Sequence, residues 1–274
     1  MKSGNIGWAT AGAVVQGATH IRQDKICQDA LLLCENGNAS DGQVFSIACV
    51  ADGHGSDRCP FSDQGAKAAV LVATDILKDL LMNPDPKEML AAQKDIRLPR
   101  QIEARWKETV HKMYLEQEVE TPDDMPPFSY ELYGSTLLAL AAASGFIFAL
   151  QIGDGDIVAI EPDGLARWLL PPCDHAGNET ESLCMDECWK YIRTQLIPID
   201  GESPVPLMFL LSTDGYANSF VESAGFLKVG ADIYRMWREH GRDYVQENLP
   251  AWLSQTTTDG SGDDIAVAIL AKEG

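Results

Sequence analysis

Apolar runs of strand length recur along the whole chain. They occupy residues 8–16, 30–34, 44–51, 135–143, 146–152, 157–160, 165–170, 206–212 and 265–270. Several are rich in β-branched residues and are bounded by Gly, Asp or Asn, which is typical of strands that end in turns. Residues 137–152 are almost long enough to span a membrane, but Ser144 and Gly145 interrupt them, so they predict two strands joined by a turn.

Other stretches have the apolar spacing of helices. The clearest, residues 62–81, repeats apolar positions every three to four residues after a capping Ser62 or Asp63. Weaker patterns start near Pro99 and fade into the acidic residues 116–124, or lie at residues 226–240 and 243–253. Strands in two runs with helices between them predict one α+β layered domain, with sheet packed on sheet and helices outside.

Composition then restricts partners and location. The chain has 21 Lys and Arg against 41 Asp and Glu, and its formal net charge is -20. Such a charge repels phosphate backbones and anionic lipid surfaces, so we expect neither nucleic acid nor a membrane as a partner. Seven irregularly spaced cysteines and an N-terminus without the profile of a signal peptide predict a cytoplasmic protein.

Acidic residues lie at the ends of several predicted strands. Asp-Gly occurs seven times and ordinarily marks turns, but only Asp52, Asp154 and Asp214 directly follow apolar runs of strand length. Asp29, Asp263 and Asp264 precede such runs. If the strands lie side by side, these carboxylates converge, and like charges so close need cations between them. Oxygen-only ligands favour Mg²⁺ or Mn²⁺ over zinc, whereas the alternative is a set of unrelated turn residues.

Six short motifs occur in a recognisable order, at residues 27–30, 50–55, 134–136, 153–155, 212–215 and 263–267. Together they resemble the metal-dependent serine/threonine protein phosphatases of the 2C type, and residues 17–20 and 178–180 resemble the bacterial branch of that family. The resemblance implies a four-layer αββα sandwich of two antiparallel β-sheets flanked by helices. It also implies a single phosphatase-like domain over residues 1–274.

The resemblance further implies a centre of two ions, Mg²⁺ or Mn²⁺, at one end of the strands. Asp52 would bridge both ions and the Gly53 carbonyl would bind one of them. The other implied ligands are Asp214 and Asp263 on the second ion, Asp29 through waters, and Asp154, which with Asp214 helps to bind a third, weaker ion.

The implied reaction is hydrolysis of phosphoserine or phosphothreonine monoesters in a phosphoprotein. Two ions activate a water for direct attack, so no phosphoenzyme forms. With Asp52 as the bridging ligand, His54 is the candidate catalytic residue that protonates the departing oxygen. The alternative is that His54 is a turn histidine bonded to the backbone.

One departure from the family pattern concerns phosphate binding. Many members carry an arginine at the position of Asp24, where it grips the substrate phosphate. Arg22 or His20, or else Lys25, is the candidate replacement. The departure also motivates a second hypothesis, in which a catalytically weak or inactive phosphatase-fold protein acts as a regulatory module that binds a partner.

Residues 171–189 have no apolar period and are interpreted as a surface flap. A zinc site from Cys173, His175, Cys184 and Cys188 matches none of the usual ligand spacings, so reduced thiols are the preferred interpretation. Cys59, near the 50–55 motif, is interpreted as a small apolar filler rather than a redox-sensitive thiol.

Overall fold

The computed structural model describes residues 7–38, 44–120, 125–172, 180–201 and 204–273. Within these residues the strands are β1 Trp8–Val15, β2 Ala30–Asn38, β3 Val44–Ala51, β4 Leu137–Ala143, β5 Phe146–Ile152, β6 Asp156–Ile160, β7 Ala166–Trp168, β8 Arg193–Pro198, β9 Met208–Ser212 and β10 Ile265–Lys272. The helices are α1 Ala18–Arg22, α2 Ser62–Leu81, α3 Pro86–Gln93, α4 Arg97–Glu120, α5 Asp214–Ala217, α6 Ser223–His240 and α7 Arg242–Asp259.

The strands form two antiparallel sheets of five strands each, which we call sheet I and sheet II. Sheet I has the order β1-β10-β9-β6-β7 and sheet II the order β2-β3-β4-β5-β8. One core fills the space between the sheets, a second lies between sheet II and helices α2 to α4, and a third lies between sheet I and helices α6 and α7. The predicted α+β class and the αββα layers are confirmed.

The apolar runs are nearly continuous because most strands are buried on both faces. In β3, Ile47 and Cys49 pack in the core beneath the helices, whereas Ala48 and Val50 pack against the opposite sheet. Successive side chains of a strand point to opposite faces, so both sets of positions must be apolar. This explains why the central strands were predictable from the sequence.

Elements with weaker apolar signals were missed. β8 is an edge strand that is only half-buried, and Arg193, Gln195 and Pro198 disguise it. Three short helices, α1, α3 and α5, lie where the sequence analysis predicted no helix. Helix α4 begins before Pro99, which lies in its first turn, where a missing N–H leaves no helix bond unmade.

Two smaller predictions were also wrong. Neither Ser62 nor Asp63 caps α2, because the helix begins at Ser62 and Phe61 precedes it. The Ser62 hydroxyl instead accepts a hydrogen bond from Gln28 Nε2 at 2.9 Å. The helical pattern predicted at residues 243–253 ended too early, because helix α7 continues past Pro250 as far as Asp259. None of the helices in the described residues has both the length and the apolar character that a membrane span needs.

Strand register brings the acidic strand ends to one end of the sandwich. Ala51 lies opposite Ala30, so Asp52 and Asp29 are neighbours at the end of sheet II. In sheet I, Ser212 lies opposite both Val267 and Asp156, which places Asp214 beside the start of β10 and the start of β6. The two sheets therefore present their carboxylates toward each other.

Candidate metal centre

Three aspartates from three different strand ends meet at this end of the sandwich. Oxygen atoms of Asp52, Asp154 and Asp214 all lie within 4.8 Å of one another. We call these three residues the acidic cluster. Asp52 follows β3, Asp154 lies in the turn between β5 and β6, and Asp214 begins α5. The cluster unites residues more than 160 positions apart in sequence, counted from 52 to 214.

The backbone around Asp52 is held by the start of β4. Thr136 N donates to Asp52 O at 2.9 Å, and Asp52 N donates to Thr136 Oγ1 at 3.0 Å. Gly53 N donates to Gln28 O at 3.2 Å. A Cβ atom at Gly53 would lie 2.6 Å from the Ser62 carbonyl oxygen, so only glycine fits between these chains.

Asp29 lies buried beside the cluster. Its side chain is 6% exposed, and its Oδ2 accepts a hydrogen bond from Thr213 Oγ1 at 2.6 Å. Its Oδ1 is buried without a hydrogen-bond partner among the described residues. Thr213 Oγ1 also accepts a hydrogen bond from Ala266 N at 2.9 Å. Thr213, which directly precedes Asp214, therefore connects Asp29 to β10.

Two polar side chains hold the other two aspartates. Asn218 Nδ2 donates to Asp214 Oδ2 at 2.9 Å, and Thr180 Oγ1 donates to Asp154 Oδ2 at 2.8 Å. Asp154 Oδ1 is buried without a partner in the described part of the chain. Beneath this turn, Gln151 Nε2 donates to Gly155 O at 2.5 Å.

Burial and repulsion by neighbouring carboxylates raise the pKa values of Asp29, Asp52 and Asp214. The pKa of Asp52 lies well above its usual range, first because of burial and then because of Asp29 and Asp214. Burial raises the pKa of Asp29 to about 8 and that of Asp214 to about 6. Bound cations reverse this penalty, since opposite charge favours the ionised form.

The donor set fits hard divalent cations. The cluster offers carboxylate oxygens, as Mg²⁺ and Mn²⁺ prefer, and the buried, unpartnered oxygens of Asp29 and Asp154 are acceptors that lack a donor within the described residues. The carboxylates that would hold the ions are Asp52, Asp154 and Asp214, with Asp29 beside them.

Asp263 and Asp264 adjoin the cluster but differ from each other. The Asp263 side chain is 53% exposed and lies outside the three-residue group, although its charge raises the pKa of both Asp52 and Asp214. Asp264 is 3% exposed and accepts hydrogen bonds from Gly17 N at 2.6 Å and Gln28 N at 2.7 Å. Asp264 therefore ties the segment after β1 to the start of β10.

The candidate phosphate-binding residues make contacts of their own. His20 Nδ1 lies 2.9 Å from Asp264 Oδ2, and its Nε2 lies 3.6 Å from Asp263 Oδ1. Arg22 is exposed and donates from Nη2 to Thr19 Oγ1 at 2.8 Å. Lys25 lines a separate cavity of about 400 Å³ together with Gly55. Neither His20 nor Arg22 has a described contact with the acidic cluster.

His54 stands at the border between the centre and a larger cavity. Its backbone N donates to Gly134 O at 3.0 Å, and burial lowers the pKa of its side chain. The side chain lines a cavity of about 580 Å³, whose walls include Arg58, Glu131, Thr180 and Asp186. We call this space the side cavity.

The cysteines have ordinary structural environments. Cys59 and Cys188 are buried, and burial raises the pKa of both thiols. Cys184 is half-buried with its Sγ 3.2 Å from Ser182 Oγ. Cys173 and His175 lie outside the described residues, as does part of the predicted flap, so the zinc alternative stays untested.

Several supporting residues were not recognised from the sequence. Asn218 follows Asp214 by four residues, the spacing at which side chains of a helix meet, so that signal was available. Thr136 and Thr213 stand within the quoted motifs without an assigned role. Thr180 likewise stands within the quoted residues 178–180 without an assigned role, whereas Gln151 had no signal, because its partner depends on how the following turn folds.

A sequence model of the family described as protein phosphatase 2C matches residues 16–254. No curated protein matches the sequence significantly. Solved structures share the fold, among them PppA, a regulatory component of the type VI secretion system (T6SS) in Pseudomonas aeruginosa. That structure has 16% identity and a TM-score of 0.62, over 98% of this chain and 100% of that one.

Two further structures are serine/threonine phosphatases. The enzyme of S. agalactiae has 15% identity and a TM-score of 0.58, covering 97% of this chain and 100% of its own. Stp1 from Staphylococcus aureus has 13% identity and a TM-score of 0.58, covering 97% and 95%. Because the family match extends over most of the sequence, the chain belongs to the protein phosphatase 2C family, which is metal-dependent.

Proposed function

We propose that this member of the protein phosphatase 2C family hydrolyses phosphoserine and phosphothreonine monoesters in phosphoproteins. The observation that supports the proposal is the meeting of Asp52, Asp154 and Asp214 at one end of the two sheets. In this proposal the chain is a single cytoplasmic domain, and the flap predicted at residues 171–189 borders the side cavity through its described residues 180–186.

The proposed ligands are the carboxylates of the acidic cluster, the Gly53 carbonyl and Asp263, with Asp29 holding waters. Two bound ions, Mg²⁺ or Mn²⁺, would supply positive charge for the phosphoryl oxygens and lower the pKa of the attacking water, and Asp154 with Asp214 would help to hold a third, weaker ion. The protein's own part is to fix these oxygens. Thr136 holds the backbone of Asp52, and Asn218 orients the Asp214 carboxylate.

His54 is the proposed proton donor to the departing serine or threonine oxygen. It directly follows Gly53, and its ring lines the side cavity that opens beside the cluster. The hydrogen bond from His54 N to Gly134 O fixes the backbone from which the His54 side chain extends. Arg22 and His20 remain the proposed phosphate-binding residues; for His20 this role requires that its ring leave Asp264.

The test is hydrolysis of a chromogenic aryl phosphate during titration with Mn²⁺ and, separately, Mg²⁺. We expect metal-dependent turnover in the wild type and a loss of at least about a thousandfold in Asp52→Asn and Asp214→Asn, because each removes a charged ligand. Asp163→Asn is the control, since Asp163 is an exposed acid in the turn between β6 and β7. Equal rates in the wild type and the two ligand variants would contradict the proposal.

A second candidate function is partner binding by an inactive phosphatase fold. It is favoured by Asp24, an acid at a position where many family members carry a phosphate-binding arginine, and PppA is itself described as a regulatory component. Absence of turnover at every metal concentration, with a folded protein, would favour this candidate.

A further inference from the structure

The side cavity opens directly beside the acidic cluster. It shares His54 with the segment that follows Asp52, and it shares Thr180, whose hydroxyl donates to Asp154 Oδ2 at 2.8 Å. A phosphoryl group that reaches the cluster therefore places the neighbouring residues of its own chain at this cavity. The volume of about 580 Å³ accommodates one or two side chains.

One wall of the side cavity is a short turn fixed against the 50–55 segment. His54 N donates to Gly134 O at 3.0 Å, and Phe61 N donates to Leu132 O at 2.9 Å. Leu132 and Tyr133 are buried, whereas the Glu131 side chain between these anchors is 50% exposed. The carboxylate of Glu131 thus stands at the rim on a fixed backbone.

A second part of the cavity wall is anchored by hydrogen bonds to Ser135. Ser135 N donates to Ser182 Oγ at 3.1 Å, and Leu183 N donates to Ser135 O at 2.9 Å. These bonds connect the wall to the residue that pairs with Gly53. Asp186, which is exposed, lines the cavity from this side. Two rigid walls therefore each present one carboxylate, which reduces the entropy lost when a ligand binds.

Positive charge at the side cavity is only loosely held. Arg58 Nη1 lies 3.4 Å from Glu131 Oε1, and the Arg58 side chain is 82% exposed, so this ion pair is weak and easily exchanged. Behind the wall, Lys107 Nζ already bonds Glu103 Oε1 at 2.6 Å and Met185 O at 3.1 Å. Another cation can therefore replace Arg58 at Glu131.

We propose that the side cavity binds a basic side chain, Arg or Lys, next to the phosphorylated residue of the substrate. Glu131 and Asp186 accept its charge, and Arg58 is the internal cation that it displaces. This inference rests on the proposed phosphatase activity and names the class of phosphoprotein that the centre selects.

The experiment compares two phosphothreonine peptides, which differ by Arg or Glu beside the phosphothreonine, with an aryl phosphate that has no flanking residue. We expect the wild type to have a kcat/KM about fivefold higher for the Arg peptide. Glu131→Gln lowers this ratio about two- to fivefold, since an exposed charge pair contributes that much. Glu131→Gln combined with Asp186→Asn removes the preference, and Arg58→Ala increases it.

The matched control is Asp163→Asn. Asp163 pairs with Arg167 at 2.7 Å, and both side chains are 50% exposed, but this pair lies in the turn between β6 and β7. The control leaves the peptide ratio unchanged, as all the variants leave aryl phosphate hydrolysis and the melting temperature unchanged.

Three outcomes overturn the inference, and they are distinguishable. If the wild type does not hydrolyse the aryl phosphate, the proposed function fails and the inference fails with it. If the aryl phosphate is hydrolysed but the double variant retains the peptide preference, only the inference fails. If Arg58→Ala slows the aryl phosphate as much as the peptides, Arg58 binds the phosphate itself and the assignment is wrong.

Discussion

The buried Asp264 and the partly buried acidic cluster lie at the same end of the sandwich and behave in opposite ways. Asp264 accepts two backbone hydrogen bonds and faces His20, so its charge is compensated by the protein. In the acidic cluster, by contrast, burial raises the pKa values of Asp52 and Asp214, and neighbouring carboxylates raise them further, Asp29 for Asp52 and Asp154 for Asp214. Two backbone donors and a facing histidine therefore distinguish the structural tie at Asp264 from the candidate ligands, whose pKa values are raised by other carboxylates.

The largest effect that tests this comparison is expected from Asp264→Ala. It leaves Gly17 N and Gln28 N buried without an acceptor, and we expect a loss of about 2–4 kcal/mol in the free energy of unfolding. Urea unfolding in the presence of a chelator measures it. Asp264→Asn, which keeps an acceptor, should lose less. A loss below about 1 kcal/mol in the alanine variant would show that Asp264 is not a structural tie.

A somewhat smaller effect is expected from metal binding to the cluster. Mn²⁺ at about a hundred times its dissociation constant should stabilise the wild type by about 2.7 kcal/mol, because only the folded state assembles the ligands. Asp214→Asn should lose most of this increment, whereas Asp264→Asn should keep it. Thermal unfolding with and without Mn²⁺ checks this, and equal increments in both variants would erase the distinction between the two groups.

The smallest effect concerns the side chain that supports Asp214. Asn218→Ala removes the amide that donates to Asp214 Oδ2, and we expect the Mn²⁺ concentration for half-maximal activity to rise about tenfold. The change in stability should stay near 1 kcal/mol. Asn218→Asp is an informative companion variant, because its carboxylate replaces the amide donor and repels the carboxylate of Asp214. An unchanged Mn²⁺ requirement in the alanine variant would show that the bond is dispensable.

The sequence predicted the layers of the fold well where strands are buried on both faces. β3, β5 and β10 have apolar residues at nearly every position, and the structure confirms them within about two residues. β8 was not predicted because it is a half-buried edge strand, and its Arg193 and Gln195 make the sequence pattern polar. Short helices such as α5 were not predicted because four residues are too few to show a helical spacing of apolar positions.

The site was predictable to a different depth. The strand ends identified Asp52, Asp154 and Asp214, because an acid directly after an apolar run is recognisable without knowledge of the pairing. The hydroxyl of Thr213 was not, since its contact with Asp29 depends on the meeting of two sheets. The distinction between Asp263 and Asp264 also required the structure, because both lie in the loop before β10, where the exposure of a side chain depends on how the loop packs.

The tie at Asp264 has a consequence for how the protein folds during synthesis. It joins residues 17 and 28 to residue 264, and β1 pairs along its whole length with β10. The ribosome releases β1 long before it has synthesised β10, so the edge of β1 that pairs with β10 in sheet I stays exposed until then. We expect slow, late assembly dominated by distant contacts, in which the acids gather only after the last strand arrives.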